Sequence, residues 1–435
     1  MRLVKFKQDM MLTVIVELLA KIPLYAFEFL LASWLVLNDY AEWTALGLIY
    51  RTAPYAHLGA LSYFNKRYPV ALGAGKKVAA EKIQRHTNRI FNGLVLFFFG
   101  FSLLLFLFKV INTLTFIAIC GVLSIQIYSY CQALVRNEGA FFAYGMGLIL
   151  FSIFQLFIAY FTVRRYGVLA GAFSTFLAYS MAVFYYLFIL KMKYEFYLPK
   201  RKNFNRVFKM GWPPFLLTIS SFLVQISDRV ALVCVDDDSK LAFYGFFSLF
   251  FQIGIIAINA IGKVLSPYIF HLSGKSKLSD TLSISTNTCL IILGLYFCMN
   301  IAMLIGGGSF IDTYFPKFTG GLIGVYNYAS MGILMSLTLT FYPQLIVAGR
   351  EQVIVKINFS YFILSFSMIY FLAKFFTGFW IYSLGSFLIN MFYSGFIFSV
   401  IEKVVQKKIK MARFIICFIG MATLIVNYVY FMMSL

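Results

Sequence analysis

Apolar runs of about 20 or more residues follow one another along the whole chain, with only short polar turns between them. In lipid, every backbone polar group must be satisfied internally, so only helices and closed barrels span a membrane. These runs are continuous rather than alternating, which points to helices. They fall at residues 10–37, 40–64, 88–108, 110–135, 140–162, 167–190, 210–233, 241–268, 281–305, 321–347, 357–375, 379–401 and 414–433. Composition agrees. The chain is 61% hydrophobic and 12% charged, against about 45–50% and about 25% in soluble domains. The longest loops, near 65–87 and 191–209, leave no room for a soluble domain. The expected fold class is therefore an all-α polytopic membrane protein.

The net charge of +21 suggests nucleic acid, but its distribution excludes that partner. Lys66, Arg67, Lys76, Lys77, Lys82, Arg85 and Arg89 follow the second run. Lys191, Lys193, Lys200, Arg201, Lys202, Arg206 and Lys209 follow the sixth, and Lys403, Lys407, Lys408, Lys410 and Arg413 follow the twelfth. The intervening turns hold few cations, among them Lys240 and Lys317. This is the positive-inside pattern, with the N-terminus cytoplasmic, and such clusters also contact anionic membrane lipids. No cleavable signal is expected, because the first run is too long and lacks a small-residue cleavage site. Trp34, Trp43, Trp212 and Trp380 fall at expected helix ends, as interfacial anchors do. The six cysteines form no CxxC and read as small hydrophobes, not metal ligands or disulfides.

The chain repeats itself. Gly47 and Pro69 bracket the second run as Gly245 and Pro267 bracket the eighth, and Gly75-Lys76 is echoed by Gly274-Lys275. Tyr130-x-Gln132-x-x-Val135 recurs as Tyr342-x-Gln344-x-x-Val347. Gly167 opens the sixth run and Gly378 the twelfth. The expected organisation is a six-helix lobe at 1–190, a basic linker at 191–209, a second six-helix lobe at 210–402, and a basic segment with a thirteenth helix at 403–435. Six is even, so the lobes are parallel repeats, an architecture used by transporters that alternate access.

Charges inside the apolar runs are the candidate site. Each costs about 2.5–3.5 kcal/mol at the bilayer centre and is kept for a partner, a cavity or a ligand. Glu17, Lys21 and Glu28 share one face of the first helix, and Arg51 and His57 lie in the second. Two readings stand. The residues form internal ion pairs, or Lys21 and Arg51 meet an anionic substrate while Glu17 and Glu28 exchange protons or sodium; the planar fork of Arg suits phosphate. Asp228 and Arg229 lie toward the outer end of the seventh run, pointing in different directions, with Asp228 a coupling or charge-pairing carboxylate and Arg229 either a substrate cation or an interfacial snorkel. Lys263, one turn before Pro267 near the inner interface, is likewise either a substrate cation or a snorkel. Tyr130, Gln132, Tyr342 and Gln344 are candidate sugar contacts, since Tyr both stacks and hydrogen-bonds.

Three segments carry a family resemblance: LGLIYRTAPYAHLGALSYFNKRYPVALGAGKKVAAEKI, RVFKMGWPPFLLTISSFLVQISDRVALVCV and RRYGVLAGAFSTFLA. They resemble the polysaccharide-transport branch of the multidrug/oligosaccharidyl-lipid/polysaccharide (MOP) exporter superfamily, which includes Wzx-type O-antigen and capsular-repeat flippases. The resemblance implies two six-helix lobes like those of the multidrug (MATE) exporters. It implies movement of an undecaprenyl-pyrophosphate-linked oligosaccharide across the bacterial inner membrane for surface polysaccharide synthesis. It also implies H+ or Na+ as coupling ion, and a glycan polymerase and chain-length machinery as partners.

No cofactor, metal or enzymatic role is expected. His271-Leu272-Ser273-Gly274-Lys275-Ser276 ends like a phosphate loop, but Ile269 replaces the required glycine. Asp236-Asp237-Asp238 contains the DxD pattern of a sugar transferase, yet reads as a solvated acidic turn. The alternatives are an ion-coupled multidrug exporter of the same superfamily and, from another class, a membrane glycan polymerase or ligase.

Overall fold

The computed structural model describes residues 3–73, 75–138, 140–190, 201–253, 255, 293–294, 296–298, 301–347, 350–405 and 410–434. The described chain is almost wholly helical, and no strand occurs among the described residues. Eight of the described helices are long and apolar enough to cross a membrane. The chain divides into two compact units, Met1–Ile219 and Ser220–Leu435.

The first unit holds α1 (Leu3–Trp34), α2 (Leu37–Thr52), α3 (Ala60–Gly73), α4 (Lys77–Leu107), α5 (Thr113–Asn137), α6 (Phe141–Leu190) and the start of α7 (Arg201–Val235). α6 is a hairpin. Tyr186 donates to the Tyr144 carbonyl, Phe151 stacks on Tyr179, and Gln155 donates to Thr175. These pairs nest about one midpoint, so the chain reverses at the turn ending in Gly167, where φ is 55°. Glycine enters that left-handed region without the Cβ penalty of other residues. α1 and α5 both pack along α6, and a tyrosine-rich core of Tyr128, Tyr130, Tyr144 and Tyr186 fills the space between them.

The second unit holds the rest of α7, then α8 (residues 238–253), α9 (Gly308–Tyr314), α10 (Leu322–Val347), α11 (Glu351–Phe375), α12 (Phe379–Val405) and α13 (Lys410–Ser434). α10 and α12 lie parallel and in register, because Asn327 bonds Ser383 and Thr338 bonds Ser394 at the same sequence separation of 56. Ser124 and Ser180 join α5 to the second arm of α6 at that separation too. α13, the additional helix, is bound into the unit by a reciprocal amide pair. Asn327 donates to Asn427 at 3.1 Å and Asn427 returns a bond at 2.7 Å, with both residues buried. Interhelical bonds of this kind in lipid contribute about 0.6 kcal/mol each.

The structure corrects several sequence expectations. The second run, 40–64, is not one helix. α2 ends at Thr52, a 3-10 turn follows at Ala53–Tyr55, and α3 begins at Ala60. Pro54 cannot donate a backbone bond, and Leu58 and Gly59 take positive φ of 48° and 87°. The loop expected at 65–87 is largely helical, shared between α3 and α4. Trp43 is not an interfacial anchor: it is buried against Phe27 and Tyr50. Trp34 is half-buried, with the Arg164 guanidinium 4.1 Å over its ring.

Candidate functional site

In the first unit the site grows from α1 and the broken end of α2. Glu17, Glu28 and Arg51 are half-buried and Lys21 is exposed. Each carboxylate takes a neutral donor. Tyr144 Oη donates to Glu17 at 2.6 Å, and Trp43 Nε1 donates to Glu28 at 3.1 Å. Tyr25 feels both the Arg51 and the Glu28 charges, so α1 and the end of α2 form one electrostatic cluster. Arg51 occupies the last turn of α2, where the negative end of the helix dipole favours a cation by about 0.3–1 kcal/mol.

The break beyond Arg51 is held open by backbone contact. A Cβ at Gly211 in α7 would fall 2.2 Å from the Gly59 carbonyl oxygen, so these glycines cross with no side chain between them. His57 lies inside the break. Its Nδ1 accepts the Gly59 N–H at 3.1 Å, and its ring packs between Phe91 and Phe215. That is a local structural bond, with no metal-ligand partner: no cluster of three His, Cys, Asp or Glu able to hold a metal occurs among the described residues.

In the second unit the site is a closed carboxylate. Asp228 on α7 is 3% exposed. Ser365 donates to Oδ1 at 2.8 Å and Ser227 at 3.2 Å, while Tyr328 donates to Oδ2 at 3.0 Å. Ser386 is 3.1 Å from the Tyr328 hydroxyl. Thus α7, α10, α11 and α12 each bring hydroxyls to one carboxylate. Arg229, 4% exposed, points elsewhere: Nη2 donates to Ser248 at 3.1 Å, and the guanidinium lies 5.4 Å over the Tyr244 ring. Its Nε is buried without a hydrogen bond. Arg229 is therefore not an interfacial snorkel, because α8 and α10 enclose that level of α7.

The remaining sequence candidates are dispersed. Tyr130 is wholly buried, ringed by Phe64 and Phe91, and belongs to the core rather than to a surface that sugars reach. Gln132 donates to the Tyr128 hydroxyl at 3.1 Å. Tyr342 and Gln344 lie within α10, but their side chains fall outside the described residues, as does Lys263. The acidic turn is more structured than expected. Asp237 accepts from Ser239 Oγ and the Lys240 backbone, and pairs with Lys240 Nζ at 3.1 Å.

Sequence reasoning missed the hydroxyl shell of Asp228 and the donors Tyr144 and Trp43. One signal was present. Ser383, Ser386, Asn390 and Ser394 recur every three or four residues along apolar α12, which is a polar stripe at helical period.

No family model and no curated protein matches the chain. Solved structures do. An inward-facing multidrug resistance MATE family transporter of the MOP superfamily matches with a TM-score of 0.72 at 12% identity, covering 90% of this chain and 94% of that one. An outward-facing transporter of the same description matches with a TM-score of 0.68 at 13% identity, covering 92% and 96%. A MOP superfamily transporter from Pyrococcus furiosus, described as having a binding pocket of reverse polarity that suggests a different function, matches at 0.64 and 13% identity, covering 92% and 96%. The chain has the MATE-like fold.

Proposed function

We propose that this protein is a membrane transporter that alternates access, and that it moves an anionic lipid-linked oligosaccharide, of the undecaprenyl-pyrophosphate type, coupled to H+ or Na+. The observation that carries the reading is the placement of Lys21 on α1 and Arg51 in the last turn of α2, where that helix breaks off. Neighbours with this fold are described in both inward- and outward-facing states, which supports alternation. One neighbour with this fold is described by a reversed pocket polarity that suggests a different function, which supports a reading other than drug export.

Lys21 and Arg51 act on the substrate's phosphates, Arg51 through its bidentate fork. Asp228 is the coupling carboxylate. Its donors sit on hydroxyls, which reverse their bonds at little cost when a proton or ion arrives. Glu17 and Glu28 hold the cations and tune the cluster.

The test is Arg51→Gln in a strain whose surface glycan depends on this chain. The variant remains in the membrane while lipid-linked repeat units accumulate on the inner leaflet and surface glycan is lost. Normal surface glycan overturns the substrate role of Arg51. Unaltered glycan accompanied by altered resistance to cationic drugs favours the exporter.

A further inference from the structure

The first three turns of α4 carry a charged face that the transport reading does not use. Val78, Glu81, Lys82, Arg85, His86 and Arg89 line a cavity of about 300 Å³. Three obligate cations stand there against one carboxylate. Glu81 and Arg85 are 3.9 Å apart with both side chains more than 60% exposed, too loose to neutralise the cavity.

The same face continues into the membrane. At 3.6 residues per turn, Lys82, Arg85 and Arg89 lie in line with Leu96, Phe97, Gly100, Leu104 and Leu107. Leu96, Phe97, Leu104 and Leu107 are 51%, 65%, 54% and 65% exposed, and nothing lies within 4 Å of a Cβ built on Gly100. From Leu96 to Leu107 the helix rises about 16 Å, half of a hydrocarbon core of about 30 Å. One helix face thus offers a cationic cavity with room for a phosphate headgroup and, beyond it, an open apolar strip one leaflet deep.

We propose that this face is a specific site for an anionic phospholipid of the bilayer. Lys82, Arg85 and Arg89 hold its phosphate, and an acyl chain lies along Leu96, Gly100 and Leu104. A zwitterionic lipid places its own ammonium among these cations and is disfavoured. Guanidinium groups bind phosphate oxygens in pairs, which adds direction to the charge attraction. The site is distinct from Lys21 and Arg51 and does not depend on what the transporter carries.

The experiment is native mass spectrometry of the full chain in detergent, titrated separately with phosphatidylglycerol, phosphatidylcholine and undecaprenyl phosphate. Wild-type protein retains phosphatidylglycerol in preference to phosphatidylcholine. Lys82→Gln with Arg85→Gln, both exposed positions, weakens that retention about fivefold for each cation removed, the factor expected for one Lys or Arg at an anionic surface. Arg165→Gln with Lys410→Gln removes the same charge from exposed positions elsewhere and leaves retention unchanged. The proposal is overturned if the two lipids bind equally or if the control pair loses as much. It is also overturned if undecaprenyl phosphate outcompetes phosphatidylglycerol and is lost in the same variant, which makes this a station for the carried lipid.

Discussion

Asp228→Asn, Arg229→Gln and the double variant form a cycle whose outcome the second unit sets. Both residues are at least 96% buried, and Arg229 makes no ion pair among the described residues. Its nearest structural support is one serine hydroxyl and one tyrosine face. The opposite charge closest in sequence is Asp228, on a neighbouring bearing of the same helix. At an effective dielectric of about 20 two unit charges about 4 Å apart attract by about 4 kcal/mol, and side chains on different bearings, at about twice that separation, by about 2 kcal/mol. Either single change deletes that attraction and strands the remaining charge in a dry interior. Asparagine keeps the local bonds. Its oxygen accepts from Ser365 and Ser227, and its amide donates to Tyr328, whose hydroxyl turns to Ser386. The double variant is therefore expected to be about 2 kcal/mol more stable than the sum of the single effects. Unfolding in mixed micelles by graded dodecyl sulfate measures all four corners. Additivity within about 0.5 kcal/mol refutes the idea that these charges neutralise each other.

Further outcomes follow from neighbouring geometry. Lys240 is 8% exposed and donates from Nζ to the Ala373 carbonyl at 2.6 Å, at the end of α11, while pairing with Asp237. Lys240→Met removes hydrogen bonds of a charged group, worth about 1.5–3 kcal/mol, and lowers the unfolding midpoint accordingly. Burial alone would raise the Asp237 carboxyl, but bonds from Ser239 and Lys240 outweigh it and hold it below the ordinary carboxylate value. A depressed carboxylate contributes stability above its unfolded pKa and loses it as pH falls through the folded one. Acidification below about pH 4 therefore destabilises the wild type more than Asp237→Asn, as thermal melts in detergent across pH will record. Gly147→Ala places a Cβ 2.2 Å from the Tyr186 ring, which is wholly buried and tethered to the Tyr144 carbonyl. The expected cost is about 1–3 kcal/mol, whereas Gly100→Ala, in open space, is neutral or slightly stabilising.

The helices were legible because lipid leaves a chain few options, and about 20 apolar residues are hard to mistake. The turn at Gly167 and the α13 span were visible for the same reason. The break at Ala53–Gly59 was not. Pro54 and Gly59 announce a weak point, but prolines and glycines are common within continuous membrane helices. The break also packs against Gly211, far along the chain, and no local pattern records that contact. Asp228 and Arg229 illustrate the same limit. Sequence gives their depth and their divergent bearings. Which neighbours enclose them depends on α8, α10, α11 and α12 arriving with hydroxyls at one level, and no single helix records that.

The different surroundings of the charges in the two units argue for different work. A group that binds a passing substrate must be reachable in at least one state, and Lys21 is exposed while Arg51 is half-buried in the last turn of α2. A group that registers a proton or small ion needs the reverse: a tight shell, so that changing its charge reorganises everything around it. Asp228 has such a shell, drawn from four helices. Protonating it deletes a charge that α7, α10, α11 and α12 all bond to directly or through Tyr328. On the function proposed above, titration at Asp228 acts on the packing of four helices at once, which is what converting ion binding into a change of conformation requires.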